Sequence, residues 1–224
     1  MRVVLTREAG KNESLHWMIP AVAEISEVPL TQTVYFSIPA FEAALADIHD
    51  SKAIAISSAR AARFVTPALE KLGDLPLYCV GESTAAALRE CGISPRWVGA
   101  GGATELARAI PEGPVLFIGA KASREELGVE FFKRGIELQL AACYETIPAE
   151  LSMNSQALLA GAEVIFIGAP SAWAVARSFV RKECLVVTSG ATTGAIVRET
   201  HDYTIDGWGE ESKNLLAEMA KSNN

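Results

Sequence analysis

Ala53-Ile54-Ala55-Ile56-Ser57-Ser58-Ala59-Arg60-Ala61 and, farther along, Val164-Ile165-Phe166-Ile167-Gly168-Ala169-Pro170-Ser171-Ala172 share one pattern. Four apolar residues run into small or hydroxylated ones, and a helix-compatible stretch follows. An unbroken apolar run this short suits a strand covered on both faces, as in a parallel sheet. The Ser, Gly and Pro that follow suit the turn into a crossover helix. Two more pairs recur at the same spacing of roughly 110 residues, 80–86 with 189–195 and 104–107 with 214–217. Matches in one order at one long spacing indicate a duplicated unit rather than a short solenoid repeat.

Val3-Val4-Leu5, Leu77-Tyr78-Cys79-Val80, Val115-Leu116-Phe117-Ile118 and Leu185-Val186-Val187 are further runs of the strand type, and Arg96-Trp97-Val98 is a weaker one. Between the runs, residues 59–72, 83–91, 124–134 and 171–180 are long enough for crossover helices. Strand and helix in alternation predict an α/β fold with doubly wound parallel sheets. Residues 27–36 and 138–146 are longer strand candidates, rich in β-branched and aromatic residues, and they bracket one repeat. Set side by side, they would carry the chain out of one lobe and back into it. The expected division is a discontinuous lobe of 1–32 with 149–224, an inserted lobe of 37–141, and a two-stranded β connector of 33–36 with 142–148.

Composition excludes several classes. Half of the 224 residues are hydrophobic and the net charge is −7, without a Lys/Arg cluster, which argues against nucleic acid as a partner. No apolar run approaches the length a bilayer needs, and the opening MRVVLTREAG turns polar too soon for a signal peptide, so the expectation is a cytoplasmic chain with no membrane contact. Cys79, Cys91, Cys143 and Cys184 form no CxxC pair, and His16, His49 and His201 are scattered, so no metal site is expected. There is no GxxxxGK[ST] loop and no GxSxG elbow, and Gly99-Ala100-Gly101-Gly102 lacks the GxGxxG spacing.

Chemistry is expected beyond the carboxyl ends of the strands, where helix N-termini point. The residues there are Thr6, Arg7, Ser57, Ser58, Arg60, Ser83, Thr84, Lys121, Arg124, Ser171, Thr192 and Thr193. Exposed N–H groups at a helix start, with a hydroxyl beside them, make an anion site. Taken singly, such a Ser or Thr is more often a plain N-cap worth about 1 kcal/mol. Tyr144 sits on an otherwise apolar connector strand. It reads either as a packing residue or, if the connector faces the cleft between lobes, as a phenol able to give a proton or a hydrogen bond.

With VVLTRE at 3–8, VPL at 28–30, ISSARAARF at 56–64, VGESTAAAL at 80–88, SREELGVEFFKRGIELQLAACYET at 123–146, GAPSAWAVA at 168–176 and SGATTGAI at 189–196, the chain resembles the uroporphyrinogen-III synthases. The resemblance implies two flavodoxin-like lobes joined by a two-stranded ladder. It also implies cofactor-free closure of hydroxymethylbilane, with loss of water and inversion of the last pyrrole, in porphyrin and heme biosynthesis. On that likeness Tyr144 matches the tyrosine that assists loss of the terminal hydroxyl. Ser58, Thr84, Ser171 and Thr193 or Thr192 match positions that hold substrate carboxylates. Two departures stand out. Relatives carry Arg-Gly where this chain has Gly119-Ala120, leaving Lys121 or Arg124 to supply the charge, and a Ser or Thr where it has Gly168-Ala169. The expected state is a monomer with at most a transient contact to the preceding enzyme of the pathway. The competing expectation is a non-catalytic regulatory protein that binds a tetrapyrrole or small anion on the same scaffold.

Overall fold

Strands form where short apolar runs find cover on both faces, and the computed structural model describes residues 1–100, 102–122 and 124–222, with 103 and 124–126 described by backbone alone. Contacts divide the chain into two units, Met1–Gln32 with Ile147–Asn224, and Thr33–Thr146.

The first unit holds β1 (Arg2–Leu5), β2 (Glu24–Glu27), β9 (Val164–Ile167), β10 (Leu185–Thr188) and β11 (Thr204–Asp206), all parallel, in the spatial order β11-β10-β9-β1-β2. Numbered within the unit this is 2-1-3-4-5, the flavodoxin order. The second sheet places β3 (Thr31–Tyr35) at an edge. Beside it come β8 (Leu138–Pro148), β7 (Val115–Ala120), β4 (Ala53–Ile56), β5 (Leu77–Val80) and β6 (Trp97–Gly99). Here β8-β7-β4-β5-β6 stand where β2-β1-β9-β10-β11 stand in the first unit. The second unit is therefore the same sheet with its chain begun at a different strand, so the repeats align β4 with β9 and β5 with β10.

The helices among the described residues are α1 (Ile38–Ala44), α2 (Val65–Leu72), α3 (Glu82–Glu90), α4 (Ala103–Ala109), α5 (Arg124–Lys133), α6 (Met153–Gly161), α7 (Pro170–Ala176), α8 (Ala191–Arg198) and α9 (Glu210–Ser222). Period-two alternation sends neighbouring strand residues to opposite cores. Val3, Leu5, Val164, Phe166 and Val187 meet Leu15, Met18 and Leu216 on one face of the first sheet. Val4, Ile165, Ile167 and Val186 meet Leu159, Trp173 and Val197 on the other. In the second unit, Ile54, Ile56, Leu116 and Ile118 pack with Phe41, Phe64 and Leu88, while Ala53, Ala55, Val115 and Phe117 pack with Leu106 and Phe131. Burying each such Val, Leu, Ile or Phe contributes about 1.5–3 kcal/mol.

Two expectations from sequence need correction. Residues 59–72 do not form one α-helix, since Ala59–Phe64 is a 3-10 helix that passes into α2. Pro67 has no N–H to give to the carbonyl four residues back, so α-helical bonding can begin only around it. Nor is 27–36 one long strand, because β2 ends at Glu27 and β3 begins at Thr31. Between them Val28 N–H donates to the Leu5 carbonyl at 2.9 Å and Leu30 N–H to the Thr6 carbonyl at 3.2 Å. Pro29 has no donor, and the Leu30 carbonyl accepts from Ala149 N–H at 2.9 Å. The backbone thus exchanges its β1 partner for β8 at this proline. Phe36 N–H then donates to the Cys143 carbonyl at 3.0 Å. Since 30 faces 149 and 36 faces 143, β3 and β8 run antiparallel without slip, as two connector strands can. No helix among the described residues is long and apolar enough to cross a membrane.

Candidate functional site

Each sheet has one place where successive connections leave in opposite directions, between β1 and β9 in the first unit and between β4 and β7 in the second. Ligands of open α/β sheets bind beyond the strand ends at such points.

In the first unit Thr6 and Arg7 follow β1. Thr6 is buried, and its hydroxyl donates to the Phe166 carbonyl, bracing β1 against β9. Arg7 lies 5.4 Å from the Trp208 ring, and its Nη1 donates to the Lys11 carbonyl and to Ser14 Oγ. Gly168 lies within ordinary contact of both side chains. A Cβ there would meet Trp208 at 3.4 Å and Arg7 at 3.7 Å. Ser189 Oγ donates to the Gly168 carbonyl at 2.9 Å and lies 3.4 Å from Thr193 Oγ1, so the ends of β1, β9 and β10 form one continuous rim. Neither α7 nor α8 has a side-chain cap, leaving the N–H groups of their first turns uncapped beside Ser171 and Thr192, both exposed. Thr193 is buried at 5 % exposure and faces this rim only through Ser189.

In the second unit Ser57 is exposed and Ser58 accepts from Arg60 N–H at 3.3 Å as the cap of the 3-10 helix. After β5 the chain turns at Gly81 with φ +84°, a left-handed conformation that favours glycine, and α3 begins without a side-chain cap. Ser83 in its first turn is exposed, whereas Thr84 is buried. Lys121 ends this rim, its N–H on the Tyr144 carbonyl at 2.9 Å and its ammonium 3.4 Å from the Glu145 carboxylate. Ser123 and the side chain of Arg124 lie outside the described residues.

Tyr144 is placed by a bulge. In the β7–β8 register Gly119 pairs with Ala142 and Ala120 with Tyr144, so Cys143 is the extra residue. The bulge lets Cys143 and Tyr144, consecutive in sequence, enter the same apolar cluster, which plain alternation forbids. Tyr144 is 6 % exposed, its ring centroid 6.1 Å from that of Tyr35, with the Arg60 guanidinium 5.8 Å from its ring. The sequence pointed to Tyr144 and Arg60. It did not single out Tyr35, Arg63, Trp208 or Asp206, although the three-residue spacing of Arg60 and Arg63 was a usable signal.

Among the described residues no group of His, Cys, Asp and Glu is arranged to hold a metal ion. The cysteines are free: Cys79, Cys143 and Cys184 buried, Cys91 exposed. Burial pushes the Cys143 and Cys184 thiols up to about 12, and raises that of Cys79 against the lowering effect of Arg89. Alkylation of the folded protein at pH 8 is therefore expected to mark Cys91 alone, with the other three reacting only on unfolding, as read by mass spectrometry. The unfolded thiols ionise near 9, before the buried ones, so stability falls as pH rises above that value.

Comparison with known proteins agrees with this architecture. The sequence model described as "Uroporphyrinogen-III synthase HemD" matches residues 21–216. A mutant uroporphyrinogen III synthase from the extremely thermophilic bacterium Thermus thermophilus superposes with a TM-score of 0.63 at 15 % identity, over 99 % of this chain and 98 % of that one. A uroporphyrinogen-III synthetase from Helicobacter pylori gives 0.63 at 20 % identity, over 98 % and 100 %. At such identities the superpositions speak for the fold. No curated protein matches the sequence. With the family's own sequence pattern spanning most of its length, from residue 21 into α9, the chain belongs to the uroporphyrinogen-III synthase family.

Proposed function

We propose that this chain closes hydroxymethylbilane to uroporphyrinogen III as a hydro-lyase that needs no cofactor, with Tyr144 assisting loss of the terminal hydroxyl. The observation that carries the reading is the family match over residues 21–216, which makes the chain a uroporphyrinogen-III synthase, a lyase of porphyrin and heme biosynthesis. The remainder rests on the geometry of each unit.

Expulsion of hydroxide from a pyrrolic carbinol is driven by the ring nitrogen's lone pair. The protein must supply little more than a proton for the departing oxygen, which leaves as water. A phenol held on a paired strand suits that task. The harder task is to fold the bilane so that the substituted carbon of its last ring attacks the cation thus formed. Positioning of this kind contributes several kcal/mol to a barrier. The uncapped starts of α3, α7 and α8 offer N–H donors to substrate carboxylates, aided by Ser57, Ser58, Ser83, Ser171 and Thr192, with Arg7, Arg60 and Lys121 as cations. Thr6, Thr84 and Thr193 are buried and support the rim from beneath, Thr6 through its bond to the Phe166 carbonyl and Thr193 through Ser189. The accompanying reading is a cytoplasmic monomer with at most a transient contact to the enzyme that supplies the bilane.

Freshly made hydroxymethylbilane, offered to the purified chain, should yield the type III isomer in excess of type I on chromatographic separation. Spontaneous closure gives type I, so type I alone would remove the assignment.

A further inference from the structure

Tyr35 and Tyr144 face each other by register. Because Phe36 bonds Cys143 and Leu30 bonds Ala149 across the antiparallel pair β3–β8, residue 35 stands directly opposite residue 144, at a non-hydrogen-bonded position where side chains come closest. Their ring centroids are 6.1 Å apart at a 56° tilt. Arg60 and Arg63 lie three residues apart on the Ala59–Phe64 helix, and a 3-10 helix has three residues per turn, so the two arginines share one face. The Arg60 guanidinium sits 5.8 Å from the Tyr144 ring, and that of Arg63 lies 3.9 Å from the Tyr35 ring and 4.9 Å from Phe64. Cation–π contact at this range holds Arg63 against the ring.

Arg63 differs from Arg7 and Lys121, whose charged ends have polar partners. It is exposed, its guanidinium lies close to two aromatic rings, and among the described residues it has no carboxylate or carbonyl partner. A guanidinium stacked by its face keeps its N–H edge, a planar fork that matches a carboxylate. Its charge is also felt at Cys143, the residue before Tyr144, where it lowers a thiol otherwise raised by burial. The cation is thus pre-positioned one ring away from the candidate catalytic phenol.

We infer that Arg63, stacked on Tyr35, binds a carboxylate of the substrate and so sets the pose of the bilane at Tyr144, with Tyr35 as the positioning platform. The inference rests on the functional reading above and adds to it a second tyrosine and a third arginine. The 3-10 helix brings residues 60 and 63 into line along its axis, where an α-helix would offset them by about 60° on the same face.

The test uses the full chain and two readouts. In the isomer assay Arg63→Gln should raise KM about tenfold while kcat stays within about twofold, and Arg63→Lys, which keeps the charge but not the fork, should fall between. In equilibrium binding, read by fluorescence, Arg63→Gln should weaken uroporphyrin III about tenfold and leave its fully esterified methyl ester unaffected. Tyr35→Leu should weaken uroporphyrin III as well, and Tyr35→Phe should restore what Tyr35→Leu loses, because the platform is the ring. Equal binding of uroporphyrin III by Arg63→Gln and the parent chain overturns the inference, as does an equal loss for the ester. If the parent chain makes only type I isomer the functional reading fails, while the binding readout still decides the role of Arg63.

Discussion

Replacing Tyr144 with Phe is expected to lower kcat for type III product about a hundredfold, near the low end for loss of a general acid. The low end applies because the pyrrole nitrogen already drives hydroxide out, leaving the phenol to protonate the departing oxygen. Little else should change. The Phe ring keeps its approach to the Tyr35 ring and the Arg60 guanidinium, contacts made by the ring and not by the hydroxyl. The backbone bond from Lys121 N–H to the residue-144 carbonyl is untouched. KM and the thermal midpoint should therefore hold, and residual product should shift toward type I as uncatalysed closure competes. Undiminished turnover would remove Tyr144 from the chemistry and leave it as a packing residue of the connector.

The second large effect concerns Gly194 on α8. A Cβ built there would overlap the Asp206 carboxylate and press on Arg198. Asp206 is not free to retreat: its Oδ1 accepts from Thr188 Oγ1 at 2.8 Å, and its Oδ2 lies 2.9 Å from Arg198. The carboxylate ties the end of β10 to the far turn of α8 and lies across the helix where the side chain is missing. Gly194→Ala is expected to cost about 1–3 kcal/mol in urea denaturation, the usual range for overpacking. Asp206→Ala removes the obstacle but also the tie. The double substitution should therefore be more stable than the sum of the two single losses, a coupling that a double-mutant cycle reads directly. Strictly additive losses would mean the helix shifts freely and the contact is unimportant. Because Thr192 and Thr193 open the same helix, Gly194→Ala should also raise KM for the bilane.

Several parts of this molecule are legible in its chain because they depend on local pattern. Apolar runs such as Ala53–Ile56 and Val164–Ile167 read as buried strands since both faces of a parallel sheet are covered, which leaves no polar face to blur the signal. The hydroxyl- and glycine-rich turns after them read as helix starts for the same local reason, and the repeated order of strand and turn pointed to two lobes of similar build. The site was half legible. Ser58 and Arg60 stood out by residue type just after an apolar run and Tyr144 as a lone phenol on an apolar connector strand, whereas Thr6, Thr84 and Thr193 look identical in sequence to exposed hydroxyls but are buried.

What the chain by itself determined, then, was the α/β class, the twofold repetition and the set of strand ends where chemistry gathers, all properties of windows a few residues wide. Tertiary structure alone decided which hydroxyls close onto backbone carbonyls, that the second sheet begins its strand order at a different point, and that a bulge at Cys143 brings Cys143 and Tyr144 into one buried cluster. It also decided that Tyr35 meets Tyr144 and that two arginines lie over them, contacts between residues far apart in the chain. The physical reason is register: a slip of one residue reverses every side chain on a strand, and only the pairing of distant segments sets it.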